Sequence, residues 1–467
     1  MACSASLRLA TILALVPDAG PAAVIVLEAE TGRLVGVEVV TARPGLSGTG
    51  YVTGFDADDD RVEFEVEVPA GLYAVSIRYA LEDGEKGFDL EINCERRSGM
   101  MTRTGGDWHE CDAGPVILPG GPVRIAVGKG WGWWEFDRIT LTPTTLVAVP
   151  KPPARLANPR AGAAAKALFR RLVAAYGDRT LAGQQDQREI DYARSVTGRA
   201  PALGSFDFMD CSPSRVERGA DGTRTVEQAI AWGRAGGVVQ MMWHWNAPAD
   251  LLDREGQEWW RGFYTEATTF DLAAALADPK SDRYRLLVRD LDAIAGLLAR
   301  FQAAGIPVLW RPLHEAQGGW FWWGAKGPEA FKAFWRLMFD RFTRHHGLHE
   351  LIWVYGPPGG GLEAADWYPG DDVVDAIGPS VYADATSSLA GEWETLRRLY
   401  GGRKLVGLSE CGAPPDPGRE RAYGVRWSWF SVWSGRFVRD IPPDRLRAIY
   451  DDPDVVTLER WTAKAAR

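Results

Sequence analysis

Clusters of basic residues, long apolar runs and cysteines are all scarce in this chain. Its 53 Lys and Arg are outnumbered by 62 Asp and Glu, a net charge of -9, and no basic stretch alternates with aromatics. No nucleic-acid partner is expected, because holding phosphates takes clustered Lys and Arg. The apolar run Leu9 to Val16 is too short to span a bilayer and no later segment qualifies, so no membrane-spanning part is expected. With Arg8 before it and small residues after it, MACSASLRLATILALVPDAGPAA reads instead as a secretory leader cut near Ala23, which implies a secreted, extracellular protein. Of five cysteines, Cys3 would leave with that leader. Secretion permits disulfides among Cys94, Cys111, Cys211 and Cys411, and Cys94–Cys111 is the plausible local pair. A G-x-S-x-G elbow is missing, so a serine esterase has no support. PPGGG (357–361) lacks the Lys-Ser/Thr of a phosphate loop. HHGLH (345–349) has no acidic ligand motif beside it, so it reads as a solvated helix end and not a metal site.

Tryptophan, in contrast, is abundant: there are 21. Its flat face suits the C–H-rich side of a pyranose, and its N–H is a hydrogen-bond donor. Two textures divide the chain. Residues 24–143 alternate apolar and polar positions, as in RVEFEVEV (61–68) and LYAVSIRYA (72–80), which predicts an all-β sandwich. Residues 144–159 are Pro-rich and predict an extended linker. From 160 to 467, eight short strand-like runs alternate with helical segments: LAGQQ (181–185), ALGSFDF (202–208), VVQMMWHW (238–245), PVLWRPLHE (307–315), LIWVYG (351–356), AIGPSVY (376–382), KLVGLSE (404–410) and WFSVW (429–433). That pattern predicts a (β/α)8 TIM barrel.

In such barrels the reactive groups sit at the C-terminal strand ends. Here those ends carry His244, His314 with Glu315, Tyr382 and Glu410. Cleaving a glycosidic bond needs one carboxylic acid to protonate the leaving oxygen and one carboxylate to attack or to activate water; a separation of about 5 Å goes with retention. A single Glu after a strand is most often a solvated loop charge. Two Glu at the ends of strands four and seven, which face each other across a barrel mouth, carry more weight. Tyr382 is either a donor to Glu410 or an aromatic of the rim, and Arg311, at the parity of Glu315, points into the barrel and wants a carboxylate partner.

The motifs WRPLHE…WFWWG (310–324), PSVYAD (379–384) and LSECG (408–412) resemble glycoside hydrolase family 26 over most of residues 160–440. The resemblance implies a retaining hydrolase, most often an endo-β-1,4-mannanase. It implies Glu315 as acid/base, Glu410 as nucleophile, Tyr382 bonded to the nucleophile, and His244 and His314 lining the cleavage subsite. Trp320 matches an aromatic platform near the acid. Trp433 matches the indole under the reacting sugar, with Trp427 and Trp429 as near alternatives. Cys411 departs from the aromatic the family often carries there; it is either a small buried thiol or a partner of Cys211. LEAE (27–30), GLSGTGYVTGF (45–55) and GWGWWEFDRITL (130–141) resemble a carbohydrate-binding module of family 35. That resemblance implies a structural Ca²⁺ held by Glu28, Glu30 and Asp137. Period two puts Glu28 and Glu30 on one strand face, and calcium takes several hard oxygens. Trp131, Trp133 and Trp134 are candidates for sugar contact, though Trp133 and Trp134 cannot face the same way. The expectation is therefore a monomeric enzyme cutting mannan, galactomannan or glucomannan, with no catalytic cofactor. A retaining β-xylanase or β-glucanase of the same fold, and a non-catalytic polysaccharide-binding protein, are the alternatives.

Overall fold

A computed structural model describes residues 23–463 apart from 94, 360–364, 384 and 386. The leader up to residue 22, Cys94 with its expected pairing to Cys111, and Asp384 lie outside the described residues. The chain divides into two compact units, the first running to Ala148 and taking in Thr386–Glu394 and Gly418–Val425. Among the described residues no helix is long and apolar enough to cross a membrane.

The first unit is the expected sandwich. One sheet runs 38–40, 51–53, 135–143, 71–80, 109–118, with Ile25–Glu28 also on 135–143; the other runs 33–35, 61–68, 121–131, 86–92, 95–101. Tyr73, Val75, Ile77 and Tyr79 alternate inward from one sheet and meet Val62, Phe64, Val123, Ile125 and Val127 of the other. Trp134 belongs to this core, stacked on Phe55 at 4.9 Å. The first strand stops at Glu28, and Ala29–Thr31 is a 3₁₀ turn with Ala29 fully buried. Glu28 and Glu30 are thus not two positions of one strand face, because the strand does not continue to Glu30.

The second unit is a barrel. Strands one to five are Gly183–Gln185, Leu203–Asp207, Val238–Met242, Val308–Arg311 and Leu351–Tyr355. Strand six is broken into Ala376–Ile377 and Ser380–Val381, and strand seven into Leu405–Val406 and Leu408–Cys411; strand eight is Phe430–Val432. All neighbours pair in parallel, and strand eight pairs with both strand seven and strand one, which closes the ring. Every strand falls on its expected run, within one residue at the end of strand seven. In the 144–159 segment, Leu156 and Asn158 are buried and the Ala157 N–H donates to Asp375 at 2.5 Å, so its C-terminal part is pinned to the barrel unit.

Candidate active site

The chain leaves strand four through a strained turn. Leu313 (φ 51°) and Glu315 (φ 56°) both sit in the left-handed region, where a side chain pays a steric penalty. The Glu315 N–H donates to the Gly356 carbonyl at 2.7 Å. Gly356 is required there, since a Cβ would stand 2.8 Å from Arg311 Nε and 3.1 Å from His314 Cβ. The turn aims the Glu315 carboxyl at the barrel mouth, where Trp320 Nε1 donates to its Oε2 at 3.0 Å.

The aromatic run after Glu315 divides its labour. Trp320 is 44% exposed and offers a free face. Trp322 and Trp323 are buried, with Nε1 groups donating to the carbonyls of Trp245 (2.6 Å) and His314 (2.9 Å). They are props for the turn, so of these three indoles only Trp320 has a face open to solvent. At strand eight, Trp427 and Trp429 are fully buried, while half-buried Trp433 presents its ring to His244 at 5.8 Å. This favours Trp433 over its two neighbours as the indole of the crevice.

Glu410 stands on strand seven opposite Ser380. Tyr382 OH donates to its Oε1 at 2.6 Å and Arg311 Nη1 to its Oε2 at 2.9 Å. Arg311 is fully buried and its remaining bonds go to the Gly378 carbonyl and Ser380 Oγ, so Glu410 is the carboxylate that balances it. Burial pushes the Glu410 carboxyl up, and the Glu315 charge adds to this; Arg311, His244 and the Tyr382 hydroxyl oppose it. The two carboxyls therefore sense each other. Burial and the Glu410 charge push the Tyr382 hydroxyl well up, which keeps it a donor. Tyr382→Phe removes that donor, and a bond to a charged group is worth about 1.5–3 kcal/mol, so kcat should fall about 10- to 100-fold. The acid limb should also move to higher pH, because a carboxylate with one donor fewer protonates more easily. A pH profile of kcat/KM checks both, and an unmoved limb would contradict this role.

His244 and His314 meet Nε2 to Nε2 at 3.2 Å. His314 is fully buried, and burial, Arg311 and His244 hold it well below the usual imidazole range. It reaches the crevice through His244. The other nitrogen of His244 meets Asp207 Oδ2 at 2.5 Å. Asp207, at the end of strand two, was not singled out from the sequence; the strand-end rule applied to ALGSFDF would have found it. The loop after strand three adds Trp260, 49% exposed.

Cys211 and Cys411 are not joined. Cys411 is buried with Sγ 3.4 Å from the Ser431 carbonyl, which matches the small-thiol alternative. Burial, helped by Asp207, Asp210 and Asp221, pushes Cys211 up to about 12, so it is an inert thiol. At HHGLH the structure supplies the acid the sequence lacked nearby: Asp292 lies within 4.8 Å of His345 and His346 donor atoms. Both its oxygens already bond the Arg341 guanidinium, and Oδ1 also bonds His346, which leaves an ion-paired helix end.

In the sandwich, Trp131 (51% exposed) and Trp133 (71%) flank Lys86 Nζ at 5.7 and 5.5 Å. The acidic trio converges partly. Ser47 Oγ lies 2.7 Å from Glu28 Oε2 and 2.6 Å from Asp137 Oδ2. One hydroxyl has one proton, so two anionic oxygens at that range call for a further cation or proton. Arg78 supplies part of that charge to Asp137. Glu30 accepts from Thr49 through Oε1, and its Oε2 is buried with no hydrogen-bond partner among the described residues. Carboxylate oxygens are the ligand type that Ca²⁺ takes, but among the described residues these three do not draw together into one cluster.

Residues 157–460 match the model of glycosyl hydrolase family 26, and residues 25–144 match carbohydrate binding module family 35. A mannan endo-1,4-beta-mannosidase of Thermothelomyces thermophilus is 45% identical over 440 residues, covering 92% of this chain and 89% of that one. Mannan endo-1,4-beta-mannosidase A of Piromyces is 32% identical, over 88% of this chain and 68% of that one. The crystal structure of a Podospora anserina GH26-CBM35 beta-(1,4)-mannanase superposes with a TM-score of 0.68 at 43% identity, covering 94% of this chain and 99% of that one. With strand-end carboxyls on a closed parallel barrel and these likenesses running through both units, the chain belongs to glycosyl hydrolase family 26.

Proposed function

We propose that this chain is an endo-β-1,4-mannanase that hydrolyses mannan, galactomannan or glucomannan with retention of configuration. The observation that carries the reading is the unequal setting of the two carboxyls. Glu410 accepts from a buried Arg311 and from Tyr382 on separate oxygens, the surroundings of an ionised nucleophile. Glu315 has only the neutral Trp320 N–H on its carboxyl among the described residues. In the reaction, Glu410 attacks the anomeric carbon while the Glu315 proton passes to the departing glycosidic oxygen. The bond to the leaving chain breaks as an ester to Glu410 forms. Glu315, now a carboxylate, takes a proton from water, whose oxygen displaces Glu410. Trp320 and Trp433 stack sugar rings on either side of the cleavage point, and no cofactor takes part. The test is release of reducing ends from β-mannan, galactomannan, glucomannan, xylan and mixed-linkage glucan. Preference for the mannans is expected; cleavage confined to xylan or glucan would overturn the substrate, and no cleavage at all would overturn the enzyme reading.

The same proposal has the chain exported, working as a monomer, and holding polymer through Trp131 and Trp133. It gives the sandwich a structural Ca²⁺ at Glu28, Glu30 and Asp137, supported by the Ser47 bridge and the orphaned Glu30 oxygen. A ligand at 100 times its Kd adds about 2.7 kcal/mol to folding. Chelation should therefore lower the sandwich melting temperature by about 10 °C, restored by added Ca²⁺. Identical calorimetric transitions in chelator and in Ca²⁺ would sink the site.

A further inference from the structure

Beside the crevice stands a carboxylate without a part in the reaction above, Asp207, whose side chain is 14% exposed. Asp207 ends strand two, in register with Met242, the last residue of strand three and two positions before His244. Its Oδ1 accepts the N–H groups of His244 (3.0 Å) and Met209 (2.9 Å), and its Oδ2 takes His244 Nδ1. Every group around the carboxylate is a donor, so it is ionised and His244 Nδ1 carries a proton. We propose that Asp207 is a positioning residue for glycoside cleavage: it fixes the ring and the positive charge of His244 beside Glu410 and Glu315, and so helps keep Glu410 ionised for attack.

The groups facing His244 can be named from each element packed on it. Strand two gives Asp207; strand seven gives Glu410; the turn after strand four gives Glu315 and His314. Phe263, Phe321 and Trp433 close the remaining sides, with ring centroids 5.3, 5.5 and 5.8 Å from that of His244. Burial opposes a charge there, but Asp207, then Glu410 and Glu315, outweigh it and hold His244 above the usual imidazole value. Neutral His314 accepts the second His244 proton at Nε2. Charged His244 thus donates at both ends, through Nδ1 to Asp207 and through Nε2 to His314. The inference rests on Glu410 being the nucleophile, since His244 is one of the charges that hold that carboxyl down.

The sign follows. His244 is charged below its raised midpoint, and that charge opposes protonation of Glu410. In Asp207→Asn the amide oxygen can still accept the two backbone N–H groups, but its NH₂ faces Nδ1 and forces the proton to Nε2. His244 becomes neutral, as for an Asp-to-Asn change behind a catalytic histidine. The expected result in the full-length protein is a kcat lower by about 100-fold, KM within about twofold of the parent, and an acid limb of kcat/KM moved up by about one pH unit. Asp207→Glu, which keeps the charge, should restore the position of the limb. A loss of activity equal at every pH would mean that Asp207 only ties down the strand end, and would overturn the proposal. A second readout needs neither substrate nor a folded variant at Asp207: ¹⁵N-histidine NMR of the resting protein, with His244 identified by its loss in His244→Gln. Titration above the ordinary imidazole midpoint supports the inference, and titration at or below it refutes it. Failure of the parent protein to cleave any β-glycan would defeat the reading of Glu410, and with it the acid-limb argument, while the NMR titration would still decide the charge of His244.

Discussion

Glu410→Gln lowers kcat by about 10⁵-fold on every β-mannan, because the amide keeps the shape of the side chain and loses the attacking charge. The barrel itself should be retained, as judged by circular dichroism, because strand seven is held by its backbone pairing to strands six and eight. The loss is chemical and has a diagnostic rescue. Azide added to Glu410→Ala occupies the vacated side of the sugar and should yield an α-mannosyl azide from an activated substrate. Residual turnover within tenfold of the parent would remove Glu410 from the nucleophile's role.

Glu315→Ala has the second largest effect. Turnover of polymer should fall by about 10²- to 10⁴-fold, the range for loss of a general acid. The loss should shrink on an aryl β-mannoside whose leaving group needs no proton. Azide should then attack the glycosyl-enzyme from the opposite face and give the β-mannosyl azide. Two variants, two anomers: the same anomer from both would mean that the roles of Glu315 and Glu410 are not divided as argued.

The barrel was legible because each of its strands is an apolar run with a length of its own, and because a parallel strand buried on both faces needs no alternation. The carboxyl pair was legible for a related reason. Once the strand ends are found, the polar residues at those ends have only one direction to face. Other features depended on contacts that no local pattern encodes. RPLHEAQGGWFWWG has no period, so nothing in it distinguishes exposed Trp320 from buried Trp322 and Trp323; that division comes from the turn at Leu313 and Glu315 and from carbonyl partners such as Trp245. Asp207 looks like any acid after a strand until His244, 37 residues on, closes against it. Period two ran Glu28 and Glu30 together because Ala29 looks like one more strand position, whereas it is buried at the start of a turn. Asp292 belongs to a helix far in sequence from His345 and His346, so its meeting with them is a product of helix packing.

¹H NMR of the anomeric protons during hydrolysis of mannopentaose separates double from single displacement. With Glu410 as nucleophile, the β-anomer of the new reducing end appears first and the α-anomer grows only as mutarotation proceeds. An α-anomer appearing first would mean single displacement by water, and would contradict the covalent role assigned to Glu410.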